Sequence, residues 1–314
     1  MYDLHRLRLL RELKVRGTLA AVADALSYSP STVSQQLSQL ETEVGTPLLE
    51  RVGRGVQLTP QARILVEHVE AVLRQLDLAE SDIATSLGQV TGELRVATFQ
   101  TAALALVPAA LDAIRAAHPS LRVQVRHREP ELALPALAGR DFDVVLAEEY
   151  PGNPLPRQPG VELVPLCTDR LRLAGDGETS LRALAARPWI MEPQESRARQ
   201  WALATCRDAG FEPDVRFESI DLLLHARMVE QHHAVAFLPD LVWAGSPPAF
   251  PLTNLPARRS IRRIFTACRA GARHHPAITA LRAALADAAA SAGATRAQAK
   301  PSPRRLSSQR VVLK

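Results

Sequence analysis

Ser27 to Glu41 reads SYSPSTVSQQLSQLE. Val33, Leu37 and Leu40 recur through it at helical spacing, and Val44 continues the series. The other side carries Ser31, Thr32, Ser34, Gln35, Ser38 and Gln39. A helix that only needed solvent would favour better helix formers than these small hydroxyls. Pro30 suits the first position of such a helix, and Ser29 its cap. Before it, residues 3–16 carry Leu4, Leu7, Leu10 and Leu13 on one side and end at Gly17. A short helix over about 19–26 follows, with Thr18 as its cap and Leu19, Val22, Ala23 and Leu26 inward. Two short helices, a turn at Ser27–Ser29 and a polar-faced second helix make a helix-turn-helix.

That arrangement explains the hydroxyls and amides. A helix entering the major groove approaches base edges closely, where Ser and Thr donate or accept and Gln pairs with adenine. The alternative, a merely solvated face, is weakened by the next segment. GTPLLERVGRGVQLTP, Gly45 to Pro60, predicts two short strands, Leu48–Arg51 and Val56–Leu58, around a Gly53-Arg54-Gly55 turn. A basic hairpin in that place is a wing, and Arg51 and Arg54 would reach phosphate or the minor groove. The expected DNA-binding residues are therefore Ser29, Ser31, Thr32, Ser34, Gln35, Ser38, Arg51 and Arg54.

The run Val33 to Glu41, then Gly45 to Arg51, then Gly53 to Pro60, resembles the N-terminal signature of the LysR-type transcriptional regulators. The family often has Arg where this chain has Gln35 and Ser38, which bears on base preference rather than on fold. Residues 60–87 predict one helix of roughly 42 Å. Ala62, Leu65, Val69, Val72, Leu76, Ala79 and Ile83 follow alternating steps of three and four, a coiled-coil seam. The resemblance implies the same: a linker helix that pairs two chains, with Leu65, Val69, Val72, Leu76 and Ile83 as dimerisation residues.

Gly88–Gly92 marks a boundary, and strand–helix alternation follows. Strands are expected at 94–97, 121–126, 142–147, 161–166 and 170–173, with helices over about 102–117 and 131–138. A second unit then follows: helix near 180–186, strand 189–191, helix 196–209, strand 215–217, helix 221–230 and strand 234–238. Strands near Leu252 and at 261–267 and a helix over 276–290 return to the first unit. A unit interrupted and resumed has two crossovers, which is the periplasmic-binding-protein architecture. The fold class is thus an N-terminal all-α winged helix-turn-helix with a long coiled-coil linker helix, then an α/β effector domain of two lobes. The boundaries read 1–59 for the DNA-binding domain, 60–88 for the linker and 92–290 for the effector domain. Lobe 1 takes about 92–166 and 252–290, and lobe 2 about 167–251. Residues 291–314 are Ala-, Ser- and Pro-rich and basic without an acid, and are expected to be a disordered tail.

An α/β crevice binds its ligand beyond strand ends and at helix N-termini. That places Thr98, Phe99, Gln100, Thr101, Glu148 and Glu149 on one lobe. Gln194, Ser196, His232 and His233 lie on the other. The family tends to have Gly-x-Gly where His232-His233-Ala234 stands, so this loop has bulk and titratable groups. Helix N-termini favour an anionic effector and the paired glutamates an amine.

The 314 residues carry a formal charge of +5, which suits a nucleic-acid partner. Three separated cysteines, Cys167, Cys206 and Cys268, form no C-x-x-C and fit a reducing cytoplasm. The charged N-terminus is not that of a signal peptide, and no apolar run approaches ~18 residues. No Walker loop, G-x-S-x-G or HExxH is present, and the His232-His233 and His274-His275 pairs have poor metal spacing. No catalytic residue, cofactor or metal is expected. The favoured reading is a sequence-specific transcriptional regulator controlled by a small-molecule effector between two lobes. An enzyme fused to a DNA-binding module would need a catalytic set after residue 93. An architectural DNA binder would not need two α/β lobes. The expected partners are double-stranded DNA, the effector, a homodimer or homotetramer and RNA polymerase.

Overall fold

The computed structural model describes residues 1–296, apart from Arg54, Asp176, Glu178, Thr179, Ala244, Gly245 and Pro247. The first three helices are α1 (Leu4–Arg16), α2 (Leu19–Leu26) and α3 (Pro30–Val44). Their caps are local. Asp3 accepts from the His5 and Arg6 amides, Thr18 from Ala21 and Ser29 from Thr32. Leu9, Leu10, Val22, Val33, Leu37 and Leu40 bury one core beneath them. The hairpin strands are β1 (Leu49–Val52) and β2 (Gly55–Leu58), and Arg54 lies outside the described residues. Glu41 Oε1 accepts from the Leu48 and Leu49 amides at 2.8 and 2.9 Å, which ties the wing to the end of α3.

Helix α4 (Pro60–Ser86) is the linker. Its inward stripe is Ala62, Val66, Val69, Leu73, Asp77 and Ser81. The stripe packs first on α1 and then on a turn at Ala270–Ala272 of the effector domain. Gly271 makes the second contact possible, because a Cβ there would stand 2.6 Å from the Arg74 carbonyl oxygen. Val69 therefore serves the chain's own core, which corrects its expected place in the dimer seam. Leu65 is half-buried against the DNA-binding core. Val72 (45% exposed), Leu76 (39%) and Ile83 (62%) remain outward.

The effector domain begins with β3 (Gly92–Thr98), α5 (Gln100–Ala105), α6 (Val107–Ala117), β4 (Leu121–His127), α7 (Pro130–Ala138) and β5 (Val144–Glu149). The single helix expected over 102–117 is broken at Leu106. Pro108 has no amide to donate to Leu104, so the helix restarts there. Strand β6 (Val161–Ala174) is continuous where two strands were expected. Its register against β11 (Ile261–Arg269) shifts once, between Ile264 and Phe265, so the alternation is interrupted while the strand carries on. The second unit holds β7 (Pro188–Met191), α8 (Arg197–Asp208), β8 (Asp214–Glu218), α9 (Leu222–Glu230), β9 (Ala236–Pro239) and β10 (Leu252–Asn254). A short 3-10 turn at Leu181–Leu184 stands where a helix was expected.

The large sheet has the order β10-β6-β11-β5-β3-β4, with β9 also paired to β6. The first part of β6 pairs with β11, and its end pairs with β9 and β10. Strand β6 is thus one crossover between lobes, and the segment from β10 to β11 is the other. Helices α6 and α10 (Pro276–Ser291) cover one face of lobe 1 and α7 covers the other. Trp189, Trp201 and Phe237 centre the core of lobe 2. The expected disordered tail starts too early: Ser291 ends α10, and β12 (Thr295–Arg296) pairs with Thr168 and Cys167 of β6. The rest of that tail, 297–314, lies outside the described residues.

Candidate functional site

The outer face of α3 is a polar surface. Ser29, Ser31, Ser34, Gln35 and Ser38 are exposed and Thr32 is half-buried, while Val33, Leu37 and Leu40 hold the opposite face. Ser29 Oγ lies 2.7 Å from Ser31 Oγ and 2.8 Å from Thr32 Oγ1, which orders the hydroxyls at the N-terminal end. The Gln35 side chain makes no hydrogen bond within the chain among those described. Arg51 is exposed on the wing. Arg6, on α1, bonds Gln36 Oε1 at 3.1 Å and pairs with Glu43. That contact fixes the angle of α3, and the sequence reading did not find it.

The second site lies where the lobes meet. Its centre is Arg262 on β11, which is 1% exposed. Arg262 donates to Asp169 Oδ2 through Nε (2.9 Å) and Nη2 (2.6 Å), to Thr101 Oγ1 (2.6 Å) and to Glu148. Its guanidinium carbon stands 5.4 Å from the centre of the Phe99 ring. Tyr150 donates to Glu148 Oε1 at 2.9 Å. Burial opposes the Arg262 charge, but Glu148 and Asp169 outweigh it and hold its pKa well above the ordinary value. Burial pushes Glu148 upward, against the pull of Arg262 and Tyr150.

Phe99, Thr101 and Glu148 therefore meet around one buried cation. Thr98 is fully buried, and its hydroxyl donates to the Phe99 carbonyl rather than to the cation. Gln100 joins the lobes: Nε2 donates to Asp221 Oδ1 at 2.6 Å, and Oε1 accepts from the Leu222 amide at 2.7 Å. Ser196 caps α8, its hydroxyl accepting from the Arg199 amide at 2.9 Å. Gln194 is exposed just before it.

Two expectations need correction. Glu149 does not share the cleft with Glu148, because consecutive strand residues point to opposite faces. It pairs with Arg263 and accepts from the Leu155 amide. His232 and His233 stand after the C-terminus of α9, whereas its N-terminus meets Gln100. A helix of nine residues separates them from that contact by roughly 14 Å. His232 takes φ 59, a conformation in which glycine is usual.

The structure adds residues that the sequence reading missed. A cavity of about 30 Å³ on the lobe 2 side is lined by Glu192, Arg199, Trp201, His225 and Phe237 among others. Burial, then repulsion from Glu148 and Glu129, pushes the Glu192 carboxyl up to about 8. Burial and the charges of Glu148 and Glu131 push Glu129 to about 8 as well. Arg199 Nε and Trp201 Nε1 are buried without a hydrogen-bond partner. His225 is buried with its ring against the Ser219 carbonyl at 2.8 Å, and burial lowers its pKa. The three cysteines are buried, and burial raises the thiols to about 12 (Cys167, Cys206) and about 11 (Cys268).

Comparison with known proteins gives the same two parts. Residues 4–63 match the family model described as bacterial regulatory helix-turn-helix protein, lysR family, and residues 87–290 match the LysR substrate binding domain. The transcriptional dual regulator GltC of Bacillus subtilis is 28% identical over 255 residues, covering 79% of this chain and 84% of GltC. A hydrogen peroxide-inducible genes activator of Haemophilus influenzae is 26% identical over 227 residues, covering 70% of this chain and 74% of its own. A full-length OxyR variant of Pseudomonas aeruginosa shares the fold with a TM-score of 0.65 at 19% identity, over 96% of this chain and 99% of that one. CbnR in complex with its target DNA has a TM-score of 0.52 at 23% identity, over 91% and 99% of the two chains. No described helix is long and apolar enough to cross a membrane. With a lysR-type helix-turn-helix at its start and a LysR substrate-binding domain over most of its length, this chain belongs to the LysR family of DNA-binding transcriptional regulators.

Proposed function

We propose that α3 reads the major groove through Ser31, Thr32, Ser34, Gln35 and Ser38, with Ser29 at its entry and Arg51 and Arg54 holding phosphate. The observation that carries this reading is the exposed polar face of α3, with Gln35 making no hydrogen bond among those described, beside a basic wing. Two copies pair along the outward face of α4, through Leu65, Val72, Leu76 and Ile83, and bind an interrupted palindrome. A homodimer or homotetramer so formed acts in the cytoplasm and contacts RNA polymerase. The chain is a regulator and not an enzyme.

A small effector binds between the lobes, near Arg262, Gln100 and Glu192. The partnerless Arg199 Nε and Trp201 Nε1 favour a ligand that presents hydrogen-bond acceptors. Gln100 holds the lobes together through Asp221 and Leu222, so a ligand beside it would change the lobe angle. The cysteines do not favour a peroxide-sensing role, because a buried thiol with a raised pKa carries little thiolate.

Selection of bound duplexes from a randomised pool tests the DNA reading. Enrichment of one symmetric motif is the expected result. A pool that stays random, with binding set only by salt and length, refutes sequence-specific reading.

A further inference from the structure

A second cavity, of about 80 Å³, lies where α1, α4 and lobe 1 meet. It is far above the ~10–15 Å³ that houses one water, and gives room for a tetrahedral oxyanion. Its lining includes Arg11, Arg74, Arg140 and Arg269, against two acids, Glu70 and Asp77. The acids are already committed. Glu70 pairs with Lys14 at 3.1 Å, and Asp77 Oδ1 serves both Arg140 (2.8 Å) and Arg269 (3.4 Å). Arg74 makes no ion pair among those described. Arg11 is 7% exposed, and its Nε is buried with no hydrogen-bond partner, although its Nη1 reaches Glu12 at 2.7 Å.

We propose that this cavity binds a small oxyanion of phosphate size, held by Arg11, Arg74 and Arg140, and that it clamps the DNA-binding domain to lobe 1. Each of the three arginines comes from a different part: α1, the linker helix and the turn after α7. An oxyanion between them supplies the acceptors that Arg74 and Arg11 Nε lack, while Arg140, which already reaches Asp77 and the Leu73 carbonyl (3.1 Å), adds positive charge. The state of Arg140 agrees. Burial lowers its pKa, Arg269 and Arg8 add to the lowering, and Asp77 does not make up the difference. The clamp is independent of the effector cleft. It uses none of the cleft residues, and Arg269 on its wall stands at the other end of β11 from Arg262, roughly 23 Å along the strand.

The test uses the full chain and inorganic phosphate or sulfate, titrated against chloride at constant ionic strength. Phosphate should raise the melting temperature saturably, by at least about 3 °C. Arg74→Gln should melt as the wild type does in chloride, and should raise the half-saturating phosphate concentration by roughly tenfold or more. Phosphorus NMR line broadening gives a second reading that does not depend on melting. Arg51→Ala, on the wing, should respond to phosphate as the wild type does. Absence of a saturable rise overturns the proposal. So does a rise that survives Arg74→Gln but is lost in Arg51→Ala or in excess duplex DNA, because the anion then sits on the DNA-reading face.

Discussion

Glu192→Gln should stabilise lobe 2 at neutral pH and flatten its pH dependence. The carboxyl moves from 4.5 to about 8 because it is desolvated and repelled by Glu148 and Glu129. An acid raised in this way contributes its full stability below pH 4.5, where folded and unfolded chains are both protonated. Between pH 4.5 and 8 the unfolded chain releases the proton and the folded chain keeps it, so stability falls as pH rises. The slope for one such acid is about 1.4 kcal/mol per pH unit. At pH 7 the ceiling is roughly 3.4 kcal/mol, and about half of it is discounted because Glu192 is half-buried and partly screened by water. A net gain of about 1–2 kcal/mol corresponds to roughly 2–8 °C for a unit of this size. All three tryptophans of the chain, Trp189, Trp201 and Trp243, lie in lobe 2, so their fluorescence reports this unit directly. Melts from pH 5 to 8 should fall steeply for wild type and less steeply for Glu192→Gln. If both proteins keep the same slope, or the substitution destabilises lobe 2 at pH 7.5, Glu192 is ionised in the folded chain and its pKa is not raised.

Other perturbations separate the remaining contacts. Gln35→Ala should lose about 1–3 kcal/mol of base discrimination at one position of the selected site; an unchanged site profile removes Gln35 from base reading. Arg51→Ala should weaken binding to all duplexes and flatten the salt dependence, and loss at one sequence only would contradict a phosphate contact. Leu76→Glu should cost several kcal/mol of pairing and give smaller particles by light scattering. Unchanged mass would exclude α4 as the main contact between copies. The three thiols of the native chain should react slowly with an alkylating reagent at pH 7.5, and rapid labelling of any one would contradict their burial.

The DNA-binding domain was legible because its signals are local. Thr18, Ser29 and Thr59 cap helices within three residues of themselves, and Pro30 and Pro60 open two of them. The linker helix was legible in extent but not in orientation. It carries two stripes, and the inward one includes Asp77 and Ser81, which an apolar pattern passes over. Asp77 is inside because Arg140 and Arg269 meet it there, and both are distant in sequence. The cleft was half legible. Strand ends and helix starts led to Thr101 and Glu148, but nothing local tied them to Asp169 or Glu192. Arg262 did leave a signal. It alternates with Ile264, Thr266 and Cys268 on the buried face of β11, so a charge stood in an inward position. Glu149 and the histidine pair were misplaced for simple reasons of geometry: strand alternation for one, helix length for the other.

If the position of the lobes governs DNA binding, locking the lobes must change that binding whatever the effector is. Gln100 and Asp221 face each other across the cleft, with Nε2 and Oδ1 at 2.6 Å. Gln100→Cys combined with Asp221→Cys places two thiols there, while the native cysteines are buried. A short bifunctional thiol reagent then locks the lobes, with mass spectrometry confirming the bridge. Footprinting and fluorescence anisotropy on the selected duplex, before and after bridging, give the answer. Locking should change the footprint or shift the affinity at least several-fold. Identical footprints and affinities for the locked and unlocked chains would show that the lobes do not govern DNA binding.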